Sequence, residues 1–228
     1  MFGRELLAPS VARHIQGMIL SGELAIGRRI PGQREFAEQL GISRASLREA
    51  LLTLETLGLV RTEPGRGTFV SPRSANGSLS KWRYADTYRL EEVFQTRLTI
   101  ESRIAELCAQ VILPDDLARL SAATERMESA YAAGDLLANV DADLEFHGLI
   151  AGRCPNRMLV DVYLSVREQL TETQRLPIPN TAPARMSQSI SEHRAMITAF
   201  TDRDPVRAGE SMRAHIRNTA ACAGIALD

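Results

Sequence analysis

Aromatic residues are scarce in this sequence: Phe, Tyr and Trp together make up 5% of 228 residues, with a single Trp. Cysteine is scarcer still. Cys108, Cys154 and Cys222 are odd in number and far apart. They form neither a CxxC pair nor a disulfide framework, so a reducing cytoplasm is the expected setting. No apolar run approaches the ~18 residues of a membrane span. The N-terminus is interrupted by Arg4, Glu5, Arg13 and His14, which excludes a secretory signal. No membrane partner is expected. Strand-like alternation is confined to one pair of short runs. With 44% apolar and 24% charged residues, the chain reads as an ordinary globular protein.

What is present is an uneven distribution of charge. The formal net charge is −1, but residues 1–83 carry twelve Arg and Lys against seven Glu. The remainder carries fifteen against twenty-one. A basic N-terminal part joined to an acidic body suggests division of labour, with nucleic acid as a partner for the basic part.

The first 72 residues resolve into three helices and a hairpin. Residues 10–24 place Val11, Ile15, Met18 and Ile19 at helical spacing behind Ser10, an N-cap type. Residues 33–40 form a second helix that ends at Gly41, suited to a C-terminal cap. Ser43 then caps a third, 44–57, whose apolar stripe is Leu47, Ala50, Leu51, Leu54 and Leu57. The runs 59–63 and 67–71, joined by Pro64-Gly65-Arg66, make a hairpin with a basic tip. This order is that of a winged helix-turn-helix. The stripe of the third helix faces inward, leaving Arg44, Ser46 and Arg48 to reach base edges in a major groove. Arg66 at the hairpin tip can reach the DNA backbone or a minor groove. A solvated helix face is the plainer alternative for these arginines.

Residues 73–88 are rich in Ser with Asn and Gly and read as a linker; its Lys81 and Arg83 read first as solvated side chains, with contact to DNA as the alternative. Residues 89–228 read as an antiparallel all-α bundle. Its helices are 89–113, 115–133, 135–152, 156–175, 185–202 and 205–226, with breaks at Pro114, Gly134, Pro155, Pro177 to Pro183, and Pro205. The fold class is therefore mainly α.

Three of the four histidines lie in the bundle, each on an inward stripe. Asp143 and His147 are four apart and share one helix face. His193 sits among Ile190, Ile197 and Phe200, and His215 follows Met212 on its own helix. Buried groups of this kind are costly unless paired or metal-bound. A carboxylate with three imidazoles suits a divalent first-row transition ion, with positions left for water or an anion. A hydrogen-bonded Asp143–His147 pair beside two packed histidines is the other reading.

These residues also carry a family likeness. Residues 28–71, with Pro31, Arg34-Glu35, the LGISR turn, the LREAL helix and the GRGTFV wing, closely resemble the signature of GntR-family transcriptional regulators. The segments DLEFH (143–147), Glu192-His193-Arg194 and Met212 to His215 resemble the FCD ligand-binding domain of the FadR-like branch. The resemblance implies a homodimer on double-stranded DNA at a palindromic operator. It places DNA contacts at Arg34, Arg44, Arg48, Gly65 and Arg66, to which the start of the third helix adds Ser43 and Ser46. It implies a metal on Asp143, His147, His193 and His215, zinc first and nickel or manganese next. Arg97 matches a family arginine that pairs with a small carboxylate effector.

The expectation is a ligand-responsive regulator, a repressor, that senses a small carboxylic or sugar acid at the metal. A metal-dependent hydrolase or lyase fused to a DNA-binding module is an alternative. It lacks a positioned base, because Asp143 is a ligand and Glu145 faces away, so no enzyme is expected. A purely structural metal is the third reading.

Overall fold

A computed structural model describes residues 8–72, 82, 84–178 and 181–227. The chain divides into two compact units, Met1–Ser78 and Leu79–Asp228. Most of the expected linker 73–88, including Lys81 and Arg83, lies outside the described residues.

The first unit contains α1 (Ala8–Leu20), α2 (Gln33–Leu40), α3 (Arg44–Thr56) and the antiparallel hairpin of β1 (Val60–Glu63) with β2 (Gly67–Val70). Apolar residues at helical spacing bury Val11, Ala12 and Ile15 of α1 against Leu47, Ala50, Leu51 and Leu54 of α3. Ser10 lies inside α1 rather than at its cap, because the helix already runs at Ala8. Gly41 ends α2 in the left-handed conformation at φ 66°, a region open to glycine at little cost. The segment before α2 is more than a break. Ile30 N donates to Thr68 O at 2.8 Å and Val70 N to Arg28 O at 2.9 Å, so residues 28–30 pair with β2.

The second unit contains seven helices among the described residues: α4 (Leu90–Cys108), α5 (Pro114–Ala133), α6 (Leu136–Arg153), α7 (Arg157–Ser165), α8 (Arg167–Arg175), α9 (Pro183–Thr201) and α10 (Pro205–Cys222). Prolines at the first turn of α5, α9 and α10 start those helices, where the missing N–H costs nothing. Side chains of Asp135, Asn156 and Asp204 cap α6, α7 and α10. Helix α4 packs along α10, α5 along α6, and α9 against both α5 and α10. The core runs through Phe94, Ile104, Leu120, Phe146, Phe200 and Ile216, each at most 1% exposed.

Two expectations need correction. The helix expected over 89–113 ends at Cys108, and 109–111 form a turn before Pro114. The helix expected over 156–175 is two helices, broken at Val166 with φ −110° and ψ 7°. The last linker residues also belong to this unit: Trp82 packs against its core and donates to Tyr88 O at 2.6 Å. Cys108, Cys154 and Cys222 are all free. Among the described residues, no helix is long and apolar enough to cross a membrane.

Candidate metal centre and nucleic-acid interface

In the second unit, apolar periodicity turns three helices inward and brings four ligand-type side chains together. Asp143 and His147 come from α6, His193 from α9 and His215 from α10. One ligand atom of each lies within 4.8 Å of the others. Asp143 Oδ1 is 3.3 Å from His193 Nε2 and 3.9 Å from His147 Nε2. The three histidines are at most 2% exposed.

The surroundings orient these groups. His147 Nδ1 lies 2.6 Å from Glu101 Oε2, and His215 Nδ1 lies 2.9 Å from Glu192 Oε2. Glu192 hydrogen-bonds one ring nitrogen of His215 and Glu101 stands beside one of His147, leaving each Nε2 for the cluster, an arrangement that strengthens a histidine as a metal ligand. Gln174 Nε2 donates to Asp143 Oδ2 at 2.8 Å, which turns Oδ1 toward the histidines. His193 stacks on Phe146, with ring centroids 4.1 Å apart and planes 3° from parallel. Neither of its nitrogens has a hydrogen-bond partner in the protein.

Those orphaned nitrogens test whether the residues fit a metal. A buried imidazole without a partner forfeits about 1–3 kcal/mol for each unsatisfied group, and ligation removes that cost. Ligand atoms each ~2.1 Å from one tetrahedral ion lie ~3.4 Å apart, so a set that now spans up to 4.8 Å closes by small rotations of several of its side chains together. The donor set, one carboxylate and three imidazoles, fits a divalent transition ion.

Electrostatics favour the ligating forms. Burial, with the neighbouring His215, His147 and Arg97, drives the His193 pKa well below 6.5. Burial lowers His215 too, against the opposing pull of Glu192. For Glu101, burial alone would raise the pKa, but the charges of Arg97 and His147 hold it down at about 2. Glu192 follows the same pattern: burial opposes, and His215, Asn218 and Arg185 together lower it.

Arg97 is fully buried beside the cluster. Its Nε donates to Glu101 Oε1 at 2.9 Å, its Nη2 lies 3.2 Å from His147 Nε2, and its Nη1 has no partner. The spacing of Arg97 and Glu101 reads as a surface pair, yet both are buried. Sequence reasoning missed Glu101 as an orienting group, together with Glu192, Gln174 and Arg185. Arg185 forks onto Glu192 at 3.2 and 3.0 Å, and Asn218 adds a third donor to that carboxylate at 2.7 Å. Glu145 does face away, paired with Arg126 at 2.6 Å.

A small cavity of ≈ 40 Å³ opens beside Asp143 and His215, lined also by Asn139, Thr181, Arg185 and Thr219.

In the first unit, Ser43 caps α3 by accepting from Ser46 N at 3.0 Å, and the two hydroxyl oxygens are 2.9 Å apart. Ser46 is therefore half-buried in the cap, whereas Arg44 and Arg48 are exposed. Arg34 is exposed on α2 and pairs with Glu38 at 3.2 Å. At the hairpin tip Gly65 takes φ 72° and Arg66 pairs with Glu63 at 2.5 Å. Arg61 also pairs with Glu63, and the guanidinium groups of Arg61 and Arg66 lie 5.2 and 5.8 Å from the Phe69 ring centre. A Cβ on Gly67 would come within 2.6 Å of Arg29 Nε, and its φ is 112°. Glycine there lets Arg29 lie against the wing, a contact that the spacing does not reveal.

Comparison with known proteins bears on both units. Residues 7–70 match the model for bacterial regulatory proteins of the gntR family, and residues 92–218 match the FCD domain. The HTH-type transcriptional regulator LutR of Bacillus subtilis is 30% identical over 88% of this chain and 94% of its own length. The Uxu operon transcriptional regulator of Escherichia coli is 27% identical over 91% and 83%. The HTH-type transcriptional repressor NanR of Klebsiella aerogenes is 25% identical over 96% and 85%. Among solved structures, E. coli McbR/YncC shares the fold with a TM-score of 0.56 at 20% identity, over 96% of this chain and 98% of its own.

Proposed function

This chain belongs to the GntR family of transcriptional regulators and carries an FCD domain, and on that premise we propose that it is a repressor whose hold on DNA responds to a small carboxylic or sugar acid bound at the metal centre. The matched families and relatives are regulators, not enzymes. Regulators of this type bind DNA and small-molecule effectors. We assign residues 1–72 to DNA, 73–88 to the linker and 89–228 to metal and effector.

On DNA, α3 is the recognition helix. Arg44 and Arg48 project from its solvent face, where an arginine fork reads guanine. Ser43 and Ser46 present the helix N-terminus, which favours a phosphate. Arg34, and Gly65 with Arg66, add backbone and groove contacts on either side. A homodimer places two copies of α3 on the halves of a palindromic operator.

In the helical unit Asp143, His147, His193 and His215 would hold the metal, zinc first and nickel or manganese next. When bound, a divalent ion supplies a fixed positive pole for an acid's oxygens. The observation that carries the acid reading is Arg97. Its Nη1 has no partner, and its Nη2 rests on His147 Nε2, a nitrogen engaged in the ligated state. That state leaves a two-nitrogen edge of a buried guanidinium, matched to one carboxylate.

The test is a thermal-shift screen of mono-, di- and tricarboxylic acids, sugar acids and amino acids on zinc-loaded and chelator-stripped protein, followed by gel shift on operator DNA. A ligand of the native state raises the melting temperature by mass action. The expected outcome is an acid that raises it with zinc present, loses the effect on stripping, and releases DNA. A melting point that drops on stripping and responds to no acid assigns the metal a structural role and overturns the sensor.

A further inference from the structure

Helix α8 has the sequence REQLTETQR, with Leu170 its one apolar residue. Beside that leucine it buries Glu172, Thr173 and Gln174. A helix of this kind gains little from apolar burial, so polar contacts decide where it sits. Those contacts are incomplete. Glu172 accepts from Arg175 Nη1 at 2.9 Å, and Thr173 Oγ1 donates to Leu170 O at 2.6 Å. Gln169 Oε1 and Arg175 Nε, however, are buried without a hydrogen-bond partner among the described residues. A buried polar atom left unpaired favours any shift that pairs it. The break at Val166 separates α8 from α7, so α8 can shift without α7 following.

Two contacts tie the ends of this helix to different parts of the unit. Near its C-terminus, Gln174 Nε2 donates to Asp143 Oδ2 at 2.8 Å. Near its N-terminus, Glu168 Oε2 accepts from Tyr84 Oη at 3.3 Å. The two residues are six apart, about 9 Å along the helix. Tyr84 in turn meets Trp82, with ring centroids 5.4 Å apart and planes at 63°. Trp82 packs against the helical core and donates to Tyr88 O at 2.6 Å. Thr87 N and Tyr88 N both donate to Tyr84 O at 2.9 Å. The segment from Trp82 to Tyr88 is therefore a folded strap, placed where the chain enters the helical unit just before α4.

We propose that α8 is a two-position lever linking the ligand cluster to this strap. A group engaged by Asp143 draws on the same carboxylate that holds Gln174. The helix then shifts, and Glu168 carries Tyr84 with it. Packed elements move between discrete arrangements rather than deforming smoothly, which turns a small change at Asp143 into a change of seat. The inference rests on the sensor reading above and gives that sensor a route out of the helical unit. The strap is continuous in sequence with the segment leading to residues 1–72, so a change in its seat passes along the backbone.

Trp82 is the single tryptophan of the chain, so its fluorescence reports on the strap alone. The experiment follows Trp82 emission and acrylamide quenching in full-length, chelator-stripped protein as zinc is added, with zinc stoichiometry measured in parallel. The expected result is a shift in both that saturates when the site is filled. Tyr84→Phe and Glu168→Ala, both at exposed positions away from the ligands, should each bind zinc as wild type does and lose that shift. A second arm needs no metal. Gln174→Leu should shift the emission of the stripped protein, and adding Glu168→Ala should abolish that shift, as a coupled pair requires. The zinc series stands even if Gln174→Leu does not fold. Stoichiometric zinc binding with unchanged Trp82 signals overturns the lever while leaving the metal centre and the acid sensor intact. A shift that persists in both Tyr84→Phe and Glu168→Ala overturns the route through α8. Failure of the wild-type protein to bind zinc overturns the metal centre and this inference together.

Discussion

Glu192 Oε2 sits 2.9 Å from His215 Nδ1 while the same carboxylate receives both arms of Arg185 and the amide of Asn218. Four donors on one carboxylate make it a rigid support, and its rigidity passes to the imidazole. Ligands held in this way lose little freedom when an ion binds. Their orienting partners typically contribute 10–100-fold to affinity.

Glu192→Gln should therefore weaken zinc binding by about 10–100-fold without removing the site, because the four ligands remain. Competition against a chromophoric chelator measures it, with circular dichroism as the control for folding. An unchanged zinc affinity would remove Glu192 from the metal's support.

His193→Ala should abolish stoichiometric zinc binding. The imidazole's two nitrogens have no hydrogen-bond partner among the described residues and its ring stacks on Phe146, so the variant loses packing and sheds two unsatisfied polar atoms. These effects oppose each other in the stripped state, leaving a folded protein with operator affinity close to wild type. Metal analysis and gel shift with and without acid decide the matter. A full acid response in this variant would place the sensor elsewhere.

Much of this site is legible in the sequence because histidine is rare. Three on inward stripes leave few alternatives, and apolar spacing fixes which way each helix faces. The supporting carboxylates are hidden by their number and by geometry. Glu192 comes one position before His193, about 100° around the helix, so a face assigned to His193 turns Glu192 aside. It is α10, arriving from elsewhere in the chain, that meets it with His215. Arg97 and Glu101 display their spacing but not their burial, which depends on α6 lying against α4. The break between α7 and α8 carries no signal of its own, since Val166 is neither Gly nor Pro and only tertiary packing bends the chain there. The wing was readable from its turn, whereas the approach of Arg29 to Gly67 is a contact between distant residues.

In the DNA-binding unit, Arg44→Ala or Arg48→Ala should cost ~1–3 kcal/mol of operator affinity and relax specificity at one base position. Arg34→Ala should weaken binding across sequences and flatten its salt dependence, as expected for a phosphate contact. Fluorescence anisotropy at several salt concentrations separates the two behaviours. Wild-type affinity in both α3 variants would remove that helix from the groove.

Ser43→Ala should lower the stability of the N-terminal unit by ~1 kcal/mol, since Ser43 accepts from Ser46 N and the substitution leaves that donor uncapped. Chemical denaturation measures the loss. Ser43→Asp, which restores an acceptor, should recover it, and a failure to recover would locate the role of Ser43 in DNA contact rather than in capping.

Acid should destabilise the metal-free protein in two stages. His193 and His215 titrate below their ordinary value of 6.5 in the fold, so the unfolded chain binds their protons first. Stability from these groups is complete above 6.5 and is lost as pH falls below it. The second stage belongs to carboxylates with depressed pKa values. Glu101 falls from 4.5 to about 2 and Glu192 is lowered as well, so their contribution holds above 4.5 and disappears beneath it. Both stages have the same sign, and metal adds to the first, because protons compete with the ion for imidazole nitrogen. The melting temperature of stripped protein should therefore decline from pH 7 to pH 5, with a steeper decline when zinc is bound. A stripped protein that holds or gains stability over that range would mean that the histidines are charged in the fold. Adjacent imidazolium ions at His193 and His215 would repel a cation, and metal binding would first have to displace their protons.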